Sequence, residues 1–63
     1  MKHGELVRQI NAIAKAKGLT AVWAEGGKHG KVRIGDRQTT VPRGSDVNEL
    51  TAKGLLRYLK EAK

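Results

Sequence analysis

The first third of the chain has an apolar pattern with helical spacing. Its apolar positions are Leu6, Val7, Ile10, Ile13 and Ala14. This spacing is typical of a helix that buries one face. Gly18 then stands where many helices end in a left-handed cap. The pattern predicts a first helix over residues 5–17.

Three short segments follow, and turn residues separate them. The segments are residues 20–25, 28–34 and 37–41, with Gly26-Gly27 and Gly35-Asp36 between them. Short runs joined by two such residues are typical of β-hairpins. The middle of the chain is therefore predicted to form three antiparallel strands.

The second turn predicts a register that can be checked residue by residue. A two-residue turn at Gly35-Asp36 pairs Val32 with Thr39 and Gly30 with Val41. Val32 and Val41 then share the buried face. Strand alternation predicts that His29, Lys31 and Arg33 share the opposite face, which is exposed to solvent.

The first turn predicts the place of the single tryptophan. A turn at Gly26-Gly27 puts Trp23 opposite Gly30, on the same face as Val32. The sequence therefore predicts that Trp23 packs over a glycine in the core.

A second helix is predicted after Pro42 and a polar loop, with Thr51 as its N-cap. Its apolar stripe is Leu55, Leu56, Leu59 and Ala62, and its cationic face is Lys53, Arg57 and Lys60. The whole pattern predicts an α+β fold of order αβββα, with two helices on one face of a three-stranded antiparallel sheet. At 63 residues, the chain is predicted to form a single domain over residues 1–63.

The charge of the chain favours a polyanionic partner. Thirteen Lys and Arg against six Asp and Glu give a net charge of +7, and the sequence pI is about 10.3. The cations between residues 28 and 43 are Lys28, Lys31, Arg33, Arg37 and Arg43, against one acid, Asp36. Such an excess favours nucleic acid. The alternative is that these charges only solvate an ordinary surface.

Several kinds of chemistry are not expected from this composition. The chain contains no cysteine, so a disulfide framework and a thiolate metal site are excluded, and a reducing compartment such as the cytoplasm fits best. The carboxylates are scattered singly, so neither a metal site nor a cofactor is predicted. No apolar run approaches the length that spans a membrane.

His29 is the residue best suited to catalysis. An exposed imidazole can accept and donate protons near neutral pH, and adjacent lysines can hold a phosphate. Metal-free RNA cleavage needs a base, an acid and cations that stabilise the phosphorane. His29 with Lys28 or Lys31 supplies this set. The alternative is that His29 contacts phosphate without catalysis, or is merely exposed.

Three short motifs, in matching order, carry a family resemblance. They are Gly27-Lys28-His29, Thr40-Val41-Pro42, and residues 54–60 of sequence GLLRYLK. In these motifs the chain resembles the HicA family, toxins of bacterial toxin-antitoxin systems with a double-stranded-RNA-binding-like fold. The resemblance implies that the chain is an mRNA interferase, that His29 is its catalytic residue, and that a HicB-like antitoxin is its partner.

The chain departs from the family pattern in two places. Lys28 stands where the family usually has serine, and Arg43-Gly44 stands where a second histidine is frequent. Phosphate binding is therefore expected to rely on Lys and Arg. The predicted RNA-binding residues are Lys28, Lys31, Arg33, Arg37, Arg43 and Arg57.

Three functions follow from the sequence. The first is a metal-independent endoribonuclease toxin that cleaves mRNA with His29. The second is a non-catalytic RNA- or DNA-binding module whose Lys and Arg side chains follow the phosphates. The third is an interaction protein whose basic face binds an acidic partner.

Overall fold

The elements follow one another in the predicted order. The computed structural model describes residues 1–26, 29–42, 44 and 46–63, and for Glu25, Gly26 and His29 it describes the backbone alone. The elements are α1 (His3–Ala16), β1 (Val22–Gly26), β2 (His29–Ile34), β3 (Arg37–Val41) and α2 (Glu49–Lys60). The strands form one antiparallel sheet in the order β1-β2-β3. The predicted α+β fold of order αβββα is confirmed.

Both helices pack on one side of the sheet around a single apolar core. Its members are Leu6, Ile10 and Ala14 from α1, Val32, Ile34 and Val41 from the sheet, Ala52, Leu55, Leu56 and Leu59 from α2, and Val47 and Ala62. No charged or polar side chain is buried among the residues described. Burial of apolar surface contributes about 25 cal/mol per Å², so this core stabilises the two-layer arrangement. The other side of the sheet faces solvent.

The longer helix, α1, has 14 residues. Within the ranges given above, no helix is both long enough and apolar enough to cross a bilayer.

The end of α1 follows the predicted glycine cap. Gly18 has φ 71°. Its N–H donates to the carbonyl of Lys15 at 3.1 Å, and the N–H of Leu19 donates to the carbonyl of Ala14 at 2.9 Å. These two bonds define a Schellman motif, which satisfies carbonyls that the helix leaves free.

The β2–β3 hairpin has the predicted register. Val32 pairs with Thr39 and Gly30 with Val41. Gly35 has φ 58°, and no residue other than glycine has positive φ among those described. These φ signs match a type II′ turn. A Cβ at Gly35 would collide with the carbonyl of Lys63 and lie 3.2 Å from Cδ1 of Leu19. Glycine is therefore required here by conformation and by space.

The β1–β2 register differs from the prediction by two residues. Gly26 pairs with His29, and Trp23 pairs with Val32 instead of Gly30. The predicted Gly26-Gly27 turn is therefore wrong, although Gly27 itself lies outside the described residues. A slip of two residues leaves every side chain on its original face. The hydrophobic pattern therefore could not distinguish the two registers.

The prediction that Trp23 lies in the core is also wrong. Its side chain is 38% exposed, and its indole Nε1–H donates to Oδ1 of Asn11 on α1 at 3.1 Å. β1 is an edge strand, so the indole reaches the rim of the core, where its polar N–H finds a partner. Trp23 lies over the flank of α1 and not over Gly30.

Helix α2 begins three residues before the predicted cap at Thr51. Asn48 is the N-cap, and its Oδ1 accepts from the N–H of Leu50 at 2.8 Å and of Thr51 at 3.4 Å. Asn is among the strongest N-cap residues, because its side-chain oxygen is at the right distance to accept from these N–H groups. Thr51 lies within the first turn as a recipient of the cap.

Replacing Asn48 tests this assignment. We expect Asn48→Ala to lower the free energy of unfolding by about 1 kcal/mol, because two N–H groups lose their acceptor. The matched control Thr51→Ala should stay within about 0.5 kcal/mol. Urea denaturation of both variants measures the difference. A larger loss in Thr51→Ala would contradict the assignment of the cap.

Candidate nucleic-acid interface

The side of the sheet away from the helices, here called the open face, carries six described side chains. They are Val22 and Ala24 from β1, Lys31 and Arg33 from β2, and Gln38 and Thr40 from β3. All six are exposed. The register aligns them in two rows, Val22–Arg33–Gln38 and Ala24–Lys31–Thr40. The two cations therefore occupy the middle of the open face.

Lys31 and Arg33 form a concentrated positive site. They are two residues apart on β2, so their Cα atoms are about 6.6 Å apart. Over the part of the chain that the structure describes, neither side chain is in an ion pair. The six described side chains of the open face include no carboxylate. Both cations are therefore available to an anionic ligand.

A shallow depression beside these cations gives the open face a shape. Its volume is about 150 Å³. Its side-chain lining is Val22, Ala24, Lys31, Arg33 and Gln38, with Val32 beneath. One side of the depression is apolar and the other is cationic. It can therefore hold a group that has both an apolar part and a negative charge.

The predicted catalytic residue lies at the start of the same strand. The backbone of His29 pairs with Gly26, two residues before Lys31, so the Cα atoms of His29 and Lys31 are about 6.6 Å apart. The side chain of His29 is not among the described features. Two further predicted RNA-binding residues, Lys28 and Arg43, lie outside the described residues.

Arg37, predicted to bind RNA, is occupied elsewhere. It pairs with Ile34 and lies on the helix side of the sheet. Its Nη1 lies 3.5 Å from the carbonyl of Tyr58 and 3.5 Å from Oε2 of Glu61. The guanidinium carbon also lies 4.7 Å from the centre of the Tyr58 ring. Arg37 therefore fastens β3 to the C-terminal end of α2, where the helix dipole favours a cation. Its assignment to the RNA-binding surface is corrected.

Arg57 is exposed on α2 but does not join the open face. It lies opposite the apolar stripe of its helix, with Lys53 and Lys60 beside it, and all three are exposed. Because α2 packs on the other side of the sheet, Arg57 points away from Lys31 and Arg33. The predicted set of RNA-binding residues is therefore divided between two sides of the molecule.

The acid next to Arg37 also has a structural contact. Oδ1 of Asp36 accepts a hydrogen bond from the backbone N–H of Lys63 at 3.0 Å. This bond, helped by the charges of Arg37 and Lys63, lowers the pKa of Asp36 below its usual value of 3.8. The carboxylate stays charged near neutral pH and holds the C-terminal segment against the hairpin.

Sequence reasoning missed the two exposed apolar side chains of β1. Val22 is 48% exposed on the open face, and the half-exposed Trp23 faces the other way. The incorrect register hid this feature because it placed Trp23 over the core. The edge position of β1 was the available clue, since a strand with one neighbour leaves one flank uncovered.

The described residues contain no group of three or more His, Asp or Glu side chains placed to hold a metal ion. No family model matches this chain, and neither a curated protein nor a solved structure matches it.

The structural role of Arg37 predicts a stability effect. We expect Arg37→Gln to lower the free energy of unfolding by about 1 kcal/mol, because it removes a cation–π contact and a partly exposed ion pair. The matched control is Arg33→Gln, an exposed arginine on the adjacent strand, which should change stability by less than about 0.5 kcal/mol. Thermal and urea unfolding measure both. Equal losses would show that Arg37 has no special structural role.

Proposed function

We propose that this protein is a metal-independent endoribonuclease, an mRNA interferase of the HicA type, with His29 as its catalytic residue. The observation that carries the proposal is the exposed, unpaired pair Lys31 and Arg33 on the strand that begins with His29. The αβββα order agrees with the fold that the sequence resemblance implies. The net charge of +7 supports a polyanionic substrate.

The proposed reaction uses the 2′-hydroxyl of RNA as the nucleophile. His29 takes the proton from this hydroxyl, the 2′-oxygen attacks phosphorus, and the bond to the 5′-oxygen breaks. A proton delivered to that oxygen completes the step, which leaves a 2′,3′-cyclic phosphate and a 5′-hydroxyl. Lys31 and Arg33 stabilise the negative charge that develops on the phosphorane. DNA lacks the nucleophile and is bound without cleavage.

The proposal includes a cellular setting. As a toxin, the protein acts in the cytoplasm on mRNA, and a HicB-like antitoxin holds it inactive. The protein itself needs no cofactor for this reaction, because an imidazole transfers the protons.

Loss of His29 is expected to abolish cleavage. Purified protein should cleave single-stranded RNA in the presence of EDTA and leave 2′,3′-cyclic phosphate ends, and His29→Ala should reduce the rate at least about 100-fold. The control is His3→Ala, which removes the other histidine and should retain full activity. Gel analysis of labelled RNA measures the rates, and circular dichroism confirms that both variants are folded.

Two results would contradict catalysis by His29. Undiminished cleavage by folded His29→Ala is one, and complete inhibition by EDTA is the other. Expression in cells adds a second readout, since the native chain should arrest growth and His29→Ala should not.

The location of the RNA-binding surface is tested by charge removal on two sides. Replacing Lys31 and Arg33 together with Gln should weaken RNA binding about tenfold or more and reduce the slope of log K against log salt by about 1.4, or about 0.7 per phosphate contact. Replacing Lys53 and Arg57 together removes the same charge from α2 and should leave the slope nearly unchanged. Fluorescence anisotropy at several salt concentrations measures both. Equal slope changes would assign RNA to both sides.

A non-catalytic nucleic-acid-binding module is the second candidate function. One observation favours it. The described side chains of the open face include cations but neither a carboxylate nor a second imidazole to share the proton transfers. This candidate predicts salt-sensitive binding to RNA without cleavage by the native chain.

A further inference from the structure

Strand β1 has an unpaired edge that the fold does not protect. Its only strand neighbour is β2, so one side of its backbone has N–H and C=O groups free to pair. Proteins commonly guard such edges with proline or lysine. The sequence of Val22–Gly26 is VWAEG and contains neither. At the other edge of the sheet, α2 packs against β3, and Pro42 follows the strand.

The same strand exposes apolar side chains on both of its faces. Val22 is 48% exposed on the open face, and Trp23 is 38% exposed on the helix side. A strand added along β1 would lie about 4.8 Å away and cover part of both side chains. Burial of this apolar surface would stabilise the added strand.

The open face beside this edge selects the charge of the added strand. The depression next to Val22 and Ala24 ends at Lys31 and Arg33. An added strand would place alternate side chains over this depression, about 10 Å from the backbone of β2. Long acidic side chains and the long Lys and Arg side chains can meet across that distance.

We propose that the edge of β1 binds an extended acidic segment of a partner protein by strand addition. Acidic residues at alternate positions lie toward Lys31 and Arg33, and apolar residues between them lie beside Trp23. Backbone hydrogen bonds supply affinity, and the alternating side chains supply specificity. This inference does not depend on catalysis by His29.

Charge also decides against a second copy of this chain as the occupant. Each copy carries a net charge of +7, and two such strands would bring Lys31 and Arg33 of both copies to one continuous face. Like charges brought together oppose association. An acidic strand meets the opposite condition.

The experiment uses a short peptide that alternates Glu and Val. Nuclear magnetic resonance of the full chain should show that the outward-pointing amides of β1 exchange at least about tenfold more slowly when the peptide is bound, because they gain hydrogen-bond partners. A copy of the peptide with every backbone amide N-methylated keeps the carboxylates but donates no hydrogen bond. It should not protect these amides.

Two matched variants separate strand addition from simple charge attraction. Val22→Glu and Gln38→Glu each add one carboxylate beside Arg33, in the same row but at opposite edges of the sheet. Val22→Glu should raise the dissociation constant of the peptide about tenfold or more, and Gln38→Glu by less than about threefold. His29→Ala should leave peptide binding unchanged, so loss of catalysis and loss of docking are read separately.

Four outcomes would overturn the proposal. They are no binding of the peptide, equal binding of its N-methylated copy, equal effects of Val22→Glu and Gln38→Glu, and a dimer of the free chain in sedimentation that protects β1. Protection of the β1 amides by an RNA oligonucleotide, but not by the peptide, would assign the edge to nucleic acid.

Discussion

The arrangement of the molecule depends on the alternation of side chains along the central strand. β2 must bury Val32 and Ile34 against both helices, because the core of so small a chain lies on only one side of the sheet. The residues between them then have no choice of face. Lys31 and Arg33 become exposed as a consequence of the packing of their neighbours. The candidate interface therefore follows from the core.

The same alternation sorts the cations into structural and available groups. Arg37 falls on the helix side, where Tyr58 and Glu61 bind it at the end of α2. Arg57 is exposed, but its helix lies on the other side of the sheet. A count of basic residues treats all of these as equivalent, whereas the fold leaves Lys31 and Arg33 together on an open surface. The distribution of charge thus matters more than its total.

The edge of β1 and the cationic pair belong to one surface. Val22 and Ala24 link the unpaired backbone to Lys31 and Arg33 through the shared depression. An RNA strand and an acidic protein segment carry the same sign of charge, so both suit this surface electrostatically. They differ in whether they need the backbone of β1. A protein strand requires those hydrogen bonds, and RNA requires only the side chains.

The sequence by itself determined the order of the elements, the apolar stripes of both helices, the Gly18 cap and the β2–β3 register. These features depend on local spacing and on turn chemistry, which neighbouring residues control. It also determined that Lys31 and Arg33 share an exposed face, since that needs only the parity of the strand. Tertiary structure decided the β1–β2 register, because a slip of two residues preserves parity and glycines near the turn allow either pairing. It also decided the surface position of Trp23, the cap at Asn48 and the binding of Arg37 by α2. Each of these depends on a group that is distant in sequence or on a choice between two nearby caps, and only the packed chain sets those distances.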